Sequence, residues 1–272
     1  MPSDFSYDPV TAIDETSASG QTAAIFADIR ETMGIPLVTS IWRGLAGMGE
    51  SLSQVWDLTK PIYASGLPEP ALARVIARAA LPLPQPLAPT QLACAGVGTR
   101  DMEDIRTIVA AYNRSNGMNL VALAALITPP AAGAAPSALP STAPRWPTLR
   151  PLLSREAISA DTWSMVRHVN AFGAQGIDAG VATLWRHLAH WPGLLAIVHA
   201  AFAPLQSRGT IAAASAQVAA LAVEEGARMA HMRPAEFEMS RLARDTITGY
   251  VHSPTQVARM VTIGHAMAHW LK

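Results

Sequence analysis

The chain has 272 residues, half of them hydrophobic, which is enough for one large core or two modest ones. Twenty basic residues balance twenty acidic ones, so there is no excess of Lys and Arg with which to hold nucleic acid or an anionic membrane, and neither partner is expected. The opening residues, Met1 to Phe5, carry no basic and apolar targeting pattern, and no apolar run nears the ~20 residues that span a bilayer, so a soluble, cytoplasmic protein is expected.

From Leu37 onward, apolar residues recur every three or four positions: Ile41, Leu45, Met48, Leu52, Val55, Leu58. That spacing, with abundant Ala and no alternation of apolar and polar residues, predicts an all-α fold without a sheet. Pro61, Pro68, Pro70 and the proline run from Leu81 to Pro89 mark joints between helices. The lone Cys94 can form neither an internal disulfide nor a thiolate cage, and its Ala-rich surroundings predict a buried spectator. Gly96-Val97-Gly98 lacks a preceding strand and reads as a loop. A helical hairpin is predicted from Asp104 to Ile127, turning at Asn113–Gly117. The Pro-, Ala- and Ser-rich stretch at 129–152 is then a linker, dividing a first helical repeat (1–128) from a second (153–272). The second half holds many histidines but no ligand spacing for a metal, and no Gly-x-Ser-x-Gly elbow occurs. A final hairpin, Phe237 to Leu271, turns at Tyr250–Pro254.

The division into halves rests on an internal duplication. Residues 34–61 return without a gap as residues 177–204: Val38/Val181, Trp42/Trp185, Arg43/Arg186, Leu45/Leu188, Ala46/Ala189, Leu52/Leu195, Val55/Val198 and Pro61/Pro204 are identical. A unit repeated only twice, at so long a period, predicts two similar helical half-domains forming an intramolecular pseudo-dimer around one shared cleft. The Trp-Arg pairs are expected to pack each core.

Chemistry is then sought where one copy has a polar group that the other lacks. Asp178 falls opposite Ile35, just before the helix that carries Trp185. It suits an N-cap, and it equally suits a base that holds and deprotonates a water. Matching the apolar faces Leu120/Val257, Leu123/Met260 and Leu126/Ile263 sets Asn113 opposite Tyr250, with Tyr112 one residue away. Asn113 reads as a turn residue or as a carboxamide that accepts one proton of a water while a carboxylate takes the other. Tyr250 either packs or closes the same cleft with its hydroxyl.

Ile25–Arg30 leading into Gly34-Ile35-Pro36, the paired Trp-Arg-x-Leu-Ala segments, Leu188–Gly193 and Tyr112-Asn113-Arg114 together resemble the group I 2-haloacid dehalogenases, also filed as the halocarboxylic acid dehydrogenase family. The resemblance covers most of the chain. It implies an all-α pseudo-dimer with the active site between its halves, working without metal or organic cofactor. The implied reaction turns short 2-haloalkanoic acids of D and L configuration into 2-hydroxy acids, by direct attack of an Asp-activated water with inversion. Carried over by position, the activating aspartate is Asp178 and the water-holding asparagine is Asn113, while Tyr250, Met33, Pro36 and Ile177 line the pocket. Met33, Ile35 and Pro36 stand where the family has aromatic residues. The expected partner is a small halogenated carboxylic acid, with a homodimer left open. The competing expectations are a ligand-binding protein on the same scaffold, with Asp178 only a cap, and a carboxymuconolactone-type protein, which the lack of a Cys-x-x-Cys pair disfavours.

Overall fold

A computed structural model describes residues 12–133, 136–140, 143–177 and 180–272. Among them the order is α1 (Gly20–Met33), α2 (Ser40–Ala46), α3 (Ser51–Ala64), α4 (Pro68–Arg78), α5 (Pro89–Cys94), α6 (Thr99–Ile127), α7 (Ala160–Asn170), α8 (Thr183–His187), α9 (Pro192–Ser207), α10 (Thr210–Met229), α11 (Arg241–His252) and α12 (Val257–Trp270), with no strand. The duplication is visible in this order. Ser40 and Ala64, which open α2 and close α3, stand opposite Thr183 and Ser207, which open α8 and close α9. Pro61 and Pro204 lie inside the last turns of α3 and α9, and each helix ends three residues beyond its proline.

Each copy buries its tryptophan completely, Trp42 and Trp185 both at 0% exposure. Around Trp42 pack Phe26, Ile29, Val55 and Ile62, joined by Val218, Ala222, Ile247 and Val251 from α10 and α11. Around Trp185 pack Val166, Leu195, Val198 and Phe202, joined by Ile105 and Ile108 of α6 and by Ile263 and Met267 of α12. Helix α6 therefore serves both cores, its first half facing Trp185 and its second half, from Met118 to Leu126, facing Trp42.

The structure corrects the predicted hairpin at Asn113–Gly117: α6 runs unbroken through these residues for 29 residues, about 43 Å. Tertiary packing overrides the turn propensity of this Asn- and Gly-containing stretch. Gly117 lies where Leu72 of α4 crosses α6, so a Cβ there would overlap the leucine side chain. The same device recurs where Gly226 of α10 meets Ala124, and where Gly264 of α12 meets Asn113. Each mid-helix glycine costs about 1 kcal/mol of helix propensity and in return leaves room for the group packed against it, a side chain at Gly117 and Gly264 and backbone at Gly226. The second hairpin does turn where expected, between His252 and Val257.

A second correction concerns register. Arg114 of α6 donates through Nε to the carbonyls of Met33 and Gly34 at the end of α1, at 3.0 and 3.1 Å. Arg259 of α12 does the same at the end of α7, reaching the carbonyls of Asn170 at 2.9 Å and Phe172 at 3.4 Å. These arginines, rather than Asn113 and Tyr250, are the residues that repeat one job in the two halves. An apolar helical face looks the same after a slide of whole turns, so matching apolar faces alone does not set the register.

Between α6 and α7 the described residues contain no helix. The segment is tied down along its course: Leu139 N–H donates to Ser65 O at 2.7 Å, Trp146 Nε1 to Gly34 O at 2.9 Å, and Arg150 pairs with Asp104 at 2.7 Å. Cys94, expected to be buried, is exposed, because no residue of the short helix α5 is buried.

Candidate functional site

A cleft of about 580 Å³ opens between the two copies of the repeat. Thr39 and Ser40 at the start of α2 form one wall; their counterparts Ala182 and Thr183 at the start of α8 form another. Tyr112 and Asn116 of α6 make the floor, and the α11–α12 corner, from Asp245 to Met260, closes the side.

The wall at Thr39 is held from behind by Asn119, which is fully buried. Its Oδ1 accepts from Trp42 Nε1 at 3.1 Å and from the Tyr63 hydroxyl at 2.9 Å, while its Nδ2 donates to Thr39 Oγ1 at 2.8 Å. Two acceptor positions and one donor are thereby filled. Tyr250 lines the cleft, and its hydroxyl is turned toward Asn119. Burial holds that phenol strongly protonated.

Tyr112 is braced from the other side. Its hydroxyl lies 3.4 Å from His187 Nδ1, and His187 Nε2 lies 2.6 Å from the carbonyl of Arg150. A carbonyl only accepts, so Nε2 carries the proton; burial lowers the pKa of His187, which keeps the ring neutral and leaves Nδ1 to accept from Tyr112. Tyr112 and Thr183 also border a second cavity of about 1,140 Å³, lined by Ile35, Pro36 and Trp146 among others.

The residues singled out in the sequence distribute as follows. Tyr250 is in the cleft wall. Asn113 is buried where α6 crosses α12; its Nδ2 donates to Gly264 O at 2.9 Å, and its Oδ1 accepts no bond among the described residues. Its helical neighbours Tyr112 and Asn116 face the cleft, whereas Asn113 itself is not among the lining residues. Met33 is fully buried in the Trp42 core. Pro36 is half-buried and borders the second cavity rather than the cleft. Ile177 is 39% exposed. Asp178 lies outside the described residues; Gly180, two positions later, lines the cleft.

Three polar residues of this region escaped the sequence reading: Asn119, Asn170 and Arg259, all buried. Asn170 ends α7 and bonds both sides of the segment before α8, donating to Gly180 O at 3.2 Å and accepting from Ala182 N at 3.0 Å. The available signal for Asn119 was a carboxamide at the head of an otherwise apolar helical run, Met118 to Ile127. Among the described residues no three His, Cys, Asp or Glu side chains gather as metal ligands.

The architecture is an all-α fold with a cleft between two related helical units. No protein-family model matches the chain, and no curated protein matches its sequence. Solved structures do. A D-2-haloacid dehalogenase mutant in complex with D-2-CPA matches with a TM-score of 0.69 at 14% identity, covering 95% of this chain and 94% of that one. D-2-haloacid dehalogenase with L-LA matches with a TM-score of 0.67 at 15% identity, over 96% and 91% of the two chains. A further D-2-haloacid dehalogenase mutant gives 0.67 at 15% identity, over 95% and 91%. The chain shares their fold over nearly its full length.

Proposed function

We propose that the protein hydrolyses the carbon–halogen bond of short 2-haloalkanoic acids, yielding the 2-hydroxy acid and halide. The observation that carries this reading is the cleft between the repeat copies, reached by Gly180 two residues after Asp178, in a fold shared with D-2-haloacid dehalogenases. A cavity of this size is in the range, about 300–1,000 Å³, that holds small molecules. The neighbours' ligands, D-2-CPA and L-LA, fit a 2-halo acid and a 2-hydroxy acid of opposite configuration, as inversion requires.

In this reading Asp178 takes a proton from a water, and Asn113, next to the cleft-lining Tyr112 on α6, helps to hold that water. The water oxygen forms its bond to the α-carbon as the carbon–halogen bond breaks on the opposite side; halide leaves with the electron pair, and Asp178 keeps the proton until solvent removes it. Alignment of the water contributes through orientation, an effect that reaches about 7–11 kcal/mol in well-placed systems. Tyr250 presents the pocket wall. No cofactor takes part, the enzyme works in the cytoplasm, and equivalent walls on both sides of the cleft admit the water to D and L substrates alike.

Chloride release from D- and from L-2-chloropropionate, by the wild type and by Asp178→Asn, tests the reading. The expected result is release by the wild type from both enantiomers and a loss of about 10²–10⁴-fold in the variant. Release that survives Asp178→Asn in a folded protein overturns the assignment of the base. Release from neither enantiomer by the wild type overturns the activity in favour of a ligand-binding protein.

A further inference from the structure

Arg259 occupies the first turn of α12 and is only 4% exposed. Among the described residues lining the cleft it is the one cation, and the one carboxylate among them, Asp245, lies exposed beside Arg241 at 3.6 Å. A cation in the first turn of a helix opposes the helix dipole, so α12 gives no reason for its placement. Its partners are all neutral: Nε donates to Thr255 O at 2.9 Å, Nη1 to the carbonyls of Asn170 and Phe172 and to Met260 Sδ at 3.3 Å, and Nη2 to Asn170 Oδ1 at 3.2 Å. No carboxylate among the described residues pairs with it. Nη2 carries two N–H groups and meets one acceptor, which leaves it one to spare.

Burying a guanidinium against dipoles alone is costly, because carbonyls offset only part of the lost hydration. Burial draws its pKa down to about 10, which still leaves it charged near neutral pH. The charge is fixed in place. Asn170, which accepts from Arg259, also holds Gly180 and Ala182, so the guanidinium sits against the segment that leads into α8 at the cleft wall. Gly173 packs directly on the arginine stem, where a Cβ would lie 3.1 Å from Arg259 Cβ. A rigid, buried, positively charged wall that no carboxylate among the described residues pairs with favours an anionic ligand and adds little for a neutral one of the same shape.

We propose that Arg259 is the residue by which the cleft selects a carboxylate: it reads the acid group of the ligand, and a neutral isostere is bound poorly. The identity of the acid rests on the dehalogenase reading; the preference for an anion does not.

The test is a binding titration, by calorimetry, of 2-chloropropionate and of its neutral isostere 2-chloropropionamide, using full-length protein with the Asp178→Asn change so that the ligand is not consumed. The acid is expected to bind at least tenfold more tightly than the amide. Arg259→Met is expected to erase that preference, weakening the acid tenfold or more and the amide less than twofold. Arg259→Lys, which keeps the charge, is expected to retain most of it. Equal binding of acid and amide, or binding of neither, overturns the proposal without recourse to any arginine variant, so a misfolded Arg259→Met leaves it testable. Equal weakening of both ligands in Arg259→Met overturns it as well, since that is the signature of a purely structural residue. Selective acid binding by a protein that releases no chloride as wild type would sink the dehalogenase reading and leave this one standing.

Discussion

Asn113 and Gly264 mark the point where α6 and α12 touch: the carboxamide donates to the glycine carbonyl at 2.9 Å, and a Cβ on Gly264 would overlap the carboxamide oxygen. The glycine thus sets both the helix spacing and the orientation of Asn113. Gly264→Ala should destabilise the fold by about 1–3 kcal/mol through overpacking, despite the better helix propensity of alanine. Urea unfolding will show a lower midpoint with an unchanged slope. If Asn113 Oδ1 holds the attacking water, chloride release will fall further than the lost folded fraction explains.

Trp42 and Trp185 occupy equivalent, fully buried places but are bonded differently. Trp42 Nε1 donates to Asn119, whereas Trp185 Nε1 has no partner among the described residues. Replacing Trp42 by Phe leaves one acceptor position of Asn119 empty, while replacing Trp185 by Phe removes an unmet donor. After the shared loss of ring volume, Trp42→Phe should cost about 1 kcal/mol more than Trp185→Phe. Paired denaturant melts measure the difference, and equal costs would contradict it.

Much of the architecture was legible because its causes are periodic or repeated. The three- and four-residue spacing gave helices without a sheet, and the duplicated Trp-Arg segments fall on α2–α3 and α8–α9 at equivalent positions. The Asn113–Gly117 stretch was misread because local composition there is that of a turn; what keeps α6 straight is Leu72, Gly264 and Asn119's partners, all far away in sequence. The site was harder for the same reason. Asn119, Asn170 and Arg259 are three scattered polar residues whose importance comes from burial and from partners on other segments, and neither has a spacing pattern.

His265 on α12 should leave a mark on the acid side of the stability profile. Burial pushes its pKa down to about 4, and its Nε2 has no hydrogen-bond partner among the described residues. The unfolded chain, with an ordinary value of about 6.5, takes up a proton between pH 6.5 and 4 that the native state refuses. Stability therefore falls as pH drops through that window and levels off, for this group, below about pH 4. The part-exposed ring makes the effect roughly 2 kcal/mol rather than the full value of the shift. His265→Leu should flatten this portion of the curve, measured by urea midpoints from pH 7 to pH 4; an unchanged slope would show that the histidine titrates normally in the fold.

The two cores bear on whether either half stands alone. The Trp42 core draws Val218, Ala222, Ile247 and Val251 from the second half, and the Trp185 core draws Ile105, Ile108 and Val109 from the first, all fully or almost fully buried. Glu225 of α10, 1% exposed, is also matched by Arg74 of α4 at 2.8 Å. Splitting the chain in the segment between α6 and α7 would strip each core of one wall and expose apolar faces on α6, α10, α11 and α12. At about 25 cal/mol per Å² of newly wetted apolar surface, several such side chains outweigh a typical net stability of 5–15 kcal/mol. Fragments 1–133 and 143–272, produced separately, should lack cooperative melting transitions, while co-expression should restore a single transition and a soluble complex. A fragment that melts cooperatively alone would show that one core suffices.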